Sequence, residues 1–158
     1  MIFEQILIFF TIEMIYLWLT FGVIPFWFIL IFFPQSKICG LLVTSIFPFL
    51  ILGSIYIYLV YFFFTSGYDF FENFELYLGI YNLANLFENE EFIILLWTHF
   101  LAINLFCAAW IVRDSQKYLI PKYFNIVPLI ITYFVGPLGI VIYWIFKIFF
   151  AKKIILFD

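Results

Sequence analysis

Residues 97–112, WTHFLAINLFCAAWIV, are apolar except for Thr98, His99 and Asn104, and Arg113 and Asp114 follow directly. A histidine can move a proton near neutral pH. At helical spacing His99, Phe106, Trp110 and Arg113 share one face, and Asn104 points about 140° away from His99. His99 falls roughly 10 Å below the nearer end of its helix, and an ionisable group at that depth is a functional candidate by default. The structural alternative is a neutral imidazole bonded to a neighbouring helix. Both His99 and Asn104 are expected to face other helices, in different directions, because an amide exposed to lipid has no partner.

A second motif is Gly136-Pro137-Leu138-Gly139. Two glycines three residues apart bare a face that another helix can approach closely. Pro137 removes a backbone donor and is expected to kink the helix, as is Pro25 in VIPFW. Glu13 suits the N-terminal end of a helix dipole. One histidine and scattered carboxylates give no metal-ligand spacing. There is no P-loop, dinucleotide fingerprint or nucleophile elbow. Cys39 and Cys107 show neither CxxC spacing nor a disulfide framework and read as apolar filler.

The elements that must position these groups are membrane helices. Of the 158 residues, 68% are hydrophobic and 11% charged, and the mean hydropathy is +1.19. Soluble domains are about half apolar and about a quarter charged. The expected fold is an all-α integral membrane bundle of four transmembrane helices in one domain. The spans are expected at about Met14–Phe33, Leu41–Phe64, Phe92–Val112 and Phe124–Phe146, each near the ~20 residues that a crossing needs. Residues 1–12 are expected to lie at the interface or to extend the first helix. The start, MIFEQILIFF, has no basic region and resembles neither a secretory signal nor a transit peptide. The expectation is a bacterial, organelle-encoded or already processed chain.

Residues 65–91 are acidic, with Asp69, Glu72, Glu75, Glu88, Glu90 and Glu91 and no Lys or Arg. Their aromatics suit the headgroup level. With four crossings, both termini share a side with this acidic loop. The opposite side then carries Lys37, Arg113, Lys117 and Lys122, against Lys147, Lys152 and Lys153. Four against three slightly favours the short basic loops as cytoplasmic or stromal. Matching depths predict one layer of Thr20, Tyr56, Tyr58, Gly139 and Tyr143 around His99; hydroxyls bonded back onto their own helices are the alternative. No basic patch exists, which excludes nucleic acid as a partner.

Taken together, WTHFLAINLFCAAWIVRDSQKY, FVGPLGIVIYW and VIPFWFILIFFP resemble the abscisic-acid-deficiency-four family. The resemblance rests on Trp97, His99, Phe100, Leu105, Phe106, Trp110, Asp114 and the Gly-Pro-x-Gly. It is strongest over residues 92–146. The family pattern H-F-x-x-x-D-L-F-x-G-R-W is broken here, because Asn104 replaces the acid and Ala108-Ala109 replaces Gly-Arg. Losing an acid and a base together suggests an intramembrane pair in relatives, since losing one alone strands a buried charge.

The resemblance implies a role in carotenoid metabolism, of the type that makes neoxanthin. That isomerisation opens an epoxide and leaves an allene, which calls for an acid and a base and no redox cofactor. On this reading His99 is the base, and Asp114 and Arg113 hold a polar end group. Trp97, Asn104, Trp110 and Tyr143 line the substrate, and Gly136, Pro137 and Gly139 form a structural motif. The implied partners are the lipid bilayer and a carotenoid ligand. The implied location is a bacterial inner membrane, or a plastid or thylakoid membrane. The alternative is a non-catalytic subunit or pigment-binding accessory of a larger membrane complex or homo-oligomer. A transporter is a weaker reading, because four helices without an inverted repeat leave little room for alternating access.

Overall fold

The computed structural model describes residues 10–151; the expectations for residues 1–9 and for Lys152 and Lys153 lie outside this range. Among the described residues the chain is all-helical, without a strand. The helices are α1 (Ile12–Gly22), α2 (Ile24–Phe32), α3 (Phe47–Thr65), α4 (Ile80–Leu86), α5 (Glu90–Lys117), α6 (Lys122–Phe134) and α7 (Gly136–Ala151). A π-helical turn at Cys39–Val43 precedes α3, and a 3-10 turn at Glu72–Tyr77 precedes α4. Three segments are long and apolar enough to cross a bilayer: Ile12–Phe32, Cys39–Thr65 and Glu90–Lys117. The shorter α7 is also apolar. The expected all-α, multi-pass membrane fold is therefore present.

Prolines account for the interruptions. The first span breaks at Val23, two residues before Pro25, whose ring nitrogen has no proton to give the carbonyl of Phe21. In the second span Pro48 follows a break at residues 44–46. There Ser45 Oγ donates to the Leu41 carbonyl at 2.5 Å and accepts the Phe47 N–H at 3.1 Å. Inside hydrocarbon such groups need an internal partner, because water is absent. Helix α5 contains neither proline nor glycine and runs unbroken for 28 residues. That is roughly 42 Å, longer than the ~30 Å hydrocarbon core. It has acids in its first turn and Lys117 in its last.

By its contacts the chain forms two compact units. The first comprises the residues up to Gly22 with Leu50–Leu101, and its core includes Leu19, Leu59, Phe63 and Ile94. The second comprises Val23–Phe49 with the residues from Ala102 onward, and its core includes Leu30, Val43, Leu105, Val112 and Tyr143. Along α5 the buried stripe Ile94, Thr98, Leu101, Leu105, Ala108, Val112 and Ser115 repeats every three or four residues, as one helix face must.

The expected fourth span, Phe124–Phe146, is not one helix. It stops at Phe134 and restarts at Gly136. The Phe124 and Phe146 ring centroids are 5.9 Å apart, and those of Phe124 and Phe150 are 4.6 Å apart. A continuous helix over residues 124–146 would separate the first two by about 33 Å. So α6 and α7 form a tight helical hairpin with its tip at Val135, whose backbone (φ −144°, ψ 86°) leaves the helical region. Pro137 therefore does not kink a helix interior. It sits in the first turn of α7, where its missing N–H costs nothing. Gly139 is the close-contact residue: a Cβ there would lie 2.6 Å from Thr132 N and 2.7 Å from the Pro128 carbonyl oxygen, both on α6.

Candidate functional site

The hairpin lies along the second half of α5, and polar contacts set its register. At the tip, Asn104 Nδ2 donates to the Tyr133 carbonyl at 3.2 Å. That carbonyl is among the last of α6, where no further helical turn supplies a donor. Gly136 leaves room for this amide, since a Cβ there would collide with Asn104 Oδ1. Towards the open end, Asn125 Nδ2 donates to Ser115 Oγ at 2.7 Å, and Ser115 Oγ donates to the Val112 carbonyl at 2.8 Å. Asn104 thus has a structural task, capping a broken helix that apolar side chains cannot satisfy.

The charged centre lies at the same open end. Tyr143 OH donates to Asp114 Oδ2 at 2.6 Å. Lys147 Nζ donates to Asp114 Oδ1 at 3.1 Å and lies 2.9 Å from Oδ2. The side chains of Lys147 and Asp114 are 1% and 9% exposed, and Tyr143 is fully buried. Aromatic faces cover the cation, with Nζ 4.3 Å from the Tyr118 ring centroid and 5.8 Å from that of Trp110. Trp110 meets Tyr143 edge-on at 5.7 Å. An ion pair removed from water needs such secondary partners, and a desolvated cation gains from ring faces. Two buried polar atoms on the hairpin, Asn125 Oδ1 and Trp144 Nε1, have no protein partner among the described residues.

The fold separates the expected site residues. Asp114, Trp110 and Tyr143 come together. Asn104 serves the hairpin tip. Arg113 is exposed, and the cation on Asp114 is Lys147. His99 is exposed rather than interior, and it precedes Asp114 by fifteen residues along α5. Of the expected shared face of His99, Phe106, Trp110 and Arg113, three residues are exposed, whereas Trp110 is half-buried and its ring meets Tyr143. The buried stripe runs through Thr98 instead. Trp97 Nε1 donates to Thr20 Oγ1 at 3.0 Å, and its ring stacks on Phe100 at 5.5 Å. Of the residues expected in a layer with His99, Tyr56 and Tyr58 are exposed and Tyr143 bonds Asp114.

Lys147 is the residue that sequence reasoning missed, since there it counts only as a charge on the side of the termini. The signal was present: Gly136, Gly139, Tyr143 and Lys147 recur at spacings of three and four and form the buried face of α7. A lysine in line with the small-residue face of an apolar helix points into the packing.

A model of the family described as ABA DEFICIENT 4-like matches residues 14–143. Asp114 and Tyr143 lie within that match. The Arabidopsis thaliana protein named Protein ABA DEFICIENT 4, chloroplastic, is 29% identical over 101 residues, which cover 62% of this chain and 46% of that protein. The alignment thus spans about half the length of that relative. No solved structure matches the chain.

Proposed function

The chain belongs to the ABA DEFICIENT 4-like family, and from that premise we propose that it binds a carotenoid and isomerises its oxygenated end group in the membrane. The observation that carries this reading is the desolvated Asp114–Tyr143–Lys147 cluster. Neoxanthin-type isomerisation opens an epoxide and removes a proton elsewhere in the same molecule. One group donates a proton to the epoxide oxygen, another accepts the proton that leaves, and the atoms balance without an oxidant. Asp114 supplies the base and retains some exposure. Lys147 is the acid, and Tyr143 holds the carboxylate in place. Trp110 covers the site, and Arg113 meets the substrate's polar end from outside. Asn104, Gly136, Pro137 and Gly139 build the hairpin that carries Tyr143 and Lys147.

Apolar grooves suit a polyene. One of about 320 Å³ is lined by Trp27, Phe28, Ile31, Ile130, Tyr133 and Phe134. In the other unit, one of about 470 Å³ is lined by residues including Trp18, Leu19, Ser54 and Tyr58. Aromatic and apolar walls with few polar groups are typical of sites for such ligands. The membranes that suit this reading are a bacterial inner membrane and a plastid membrane.

A second reading, as a non-catalytic subunit of a larger complex, is favoured by one observation. His99 is exposed in the interior of a spanning helix, where an ionisable group normally faces protein rather than lipid. On that reading Trp97 and His99 belong to a partner-facing surface. Gentle solubilisation from a carotenoid-containing host separates the two. Protein carrying stoichiometric pigment, seen as carotenoid absorbance in the blue, is the expected result. A stable set of partner chains without pigment contradicts the carotenoid reading.

A further inference from the structure

We infer that the chain crosses the bilayer three times, that α6 and α7 dip into and return to the leaflet where α5 ends, and that this leaflet is the anionic, cytoplasm- or stroma-facing one. The hairpin geometry requires the return. Asn125 near the start of α6 and Lys147 near the end of α7 both bond neighbouring residues of α5, Ser115 and Asp114. The tip residue Tyr133 bonds Asn104, about 15 Å further along α5. Chain entering at one level and leaving at the same level has not crossed. The broken backbone at the tip is permitted at membrane depth because protein satisfies it through Asn104.

Charge then fixes which side this is. Residues 1–22 and 50–101 contain eight acids and no Lys or Arg, whereas all seven Lys and Arg fall within 23–49 and 102–158. Lys37, Arg113, Lys117 and Lys122 are exposed, and the acid among them, Asp114, is paired with Lys147. Gln116 Nε2 donates to the Pro34 carbonyl at 2.7 Å, which ties the turn carrying Lys37 to the end of α5. With three crossings, chain order alone assigns Lys152 and Lys153, which follow α7 in the sequence, to the same side of the bilayer. The positive-inside count, four against three for four crossings, becomes seven against none. A cationic collar at the end of spanning helices fits anionic headgroups, each charge adding attraction near the surface. The candidate site sits just inside this collar, so its ligand arrives from that leaflet. The orientation does not depend on what the ligand is.

Single cysteines at Ser66, Leu119 and Asp158, in a chain with Cys39 and Cys107 replaced by alanine, test this with a membrane-impermeant maleimide. In sealed vesicles of known sidedness, Ser66→Cys should label from one face, and Leu119→Cys and Asp158→Cys from the other. Asp158→Cys labelling with Ser66→Cys overturns the three-crossing layout. If the cysteine-free chain does not fold, a protease-cleavable tag after Asp158 on the native chain gives the same reading: cleavage from the face that exposes residues 66–89 overturns it. For the leaflet, the protein should melt higher in phosphatidylglycerol than in phosphatidylcholine vesicles, and the combined Lys37→Gln, Lys117→Gln and Lys122→Gln variant should lose most of that difference. Equal melting of the native chain in both lipids contradicts the anionic-leaflet assignment.

Discussion

Gly139→Leu is expected to disrupt the α6–α7 hairpin and to produce a large stability loss. The obstacle is backbone rather than side chain. A single Cβ at Gly139 already meets Thr132 N at 2.6 Å and the Pro128 carbonyl oxygen at 2.7 Å. Neither atom can rotate aside, so the helices must separate. Separation strains the tip, where Asn104 holds the Tyr133 carbonyl, and draws Tyr143 and Lys147 away from Asp114. Overpacking alone costs about 1–3 kcal/mol, and the loss of these bonds adds to it. Thermal melts of the detergent-solubilised protein should fall in the order wild type, Gly139→Ala, Gly139→Leu. Gly53→Ala is the control: it lies within α3, with nothing within 4 Å of its Cβ position. It should leave stability unchanged or raise it slightly through helix propensity. An unaltered melt for Gly139→Leu would show that the hairpin is not packed this way.

Lys147→Met should be comparably severe, by a different mechanism. Methionine keeps most of the aliphatic volume, so packing is nearly preserved. What remains is a carboxylate 9% exposed, whose hydrogen-bond partner is Tyr143. Removing one member of a buried pair typically costs about 3–5 kcal/mol, because the other charge is left without compensation. Asp114→Asn strands the ammonium in the same manner, although the ring faces of Tyr118 and Trp110 offset part of its cost. Combining Lys147→Met with Asp114→Asn should recover much of the loss, and a double-mutant cycle read by denaturation reports the coupling. A coupling indistinguishable from zero would mean that the two groups do not act as a pair.

The spans were legible because length and hydropathy alone identify a membrane helix, and α5 declares itself through twenty-eight residues without Pro or Gly. The hairpin was not. Residues 124–146 have the length and apolarity of one crossing, and hydropathy cannot distinguish a crossing from two shorter helices folded together. The Gly-Pro at 136–137 was read as a kink, although proline just inside a helix start is equally regular. The direction of α5 was hidden for a related reason. In a helix that is apolar on every side, the rule that ionisable groups face inward outweighs periodicity. The buried stripe through Thr98, Leu105 and Val112 places His99 outside. Asp114 and Arg113 are adjacent in sequence and were expected to hold a polar end group together, whereas the cation that meets Asp114 is Lys147. It lies thirty-three residues away, on the returning arm of the hairpin.

We propose that the Asp114–Tyr143–Lys147 cluster performs proton-coupled isomerisation of a carotenoid end group. The most direct measurement is the conversion of an epoxy-carotenoid such as violaxanthin by the purified protein in liposomes, followed by chromatographic separation of the isomers. Wild type, Asp114→Asn and the exposed-site variant His99→Phe should be compared at matched folded fraction. The account predicts an isomer of unchanged mass with wild type and with His99→Phe, and loss of turnover with pigment still bound for Asp114→Asn. Turnover that persists in folded Asp114→Asn, or that vanishes only with His99→Phe, would contradict it.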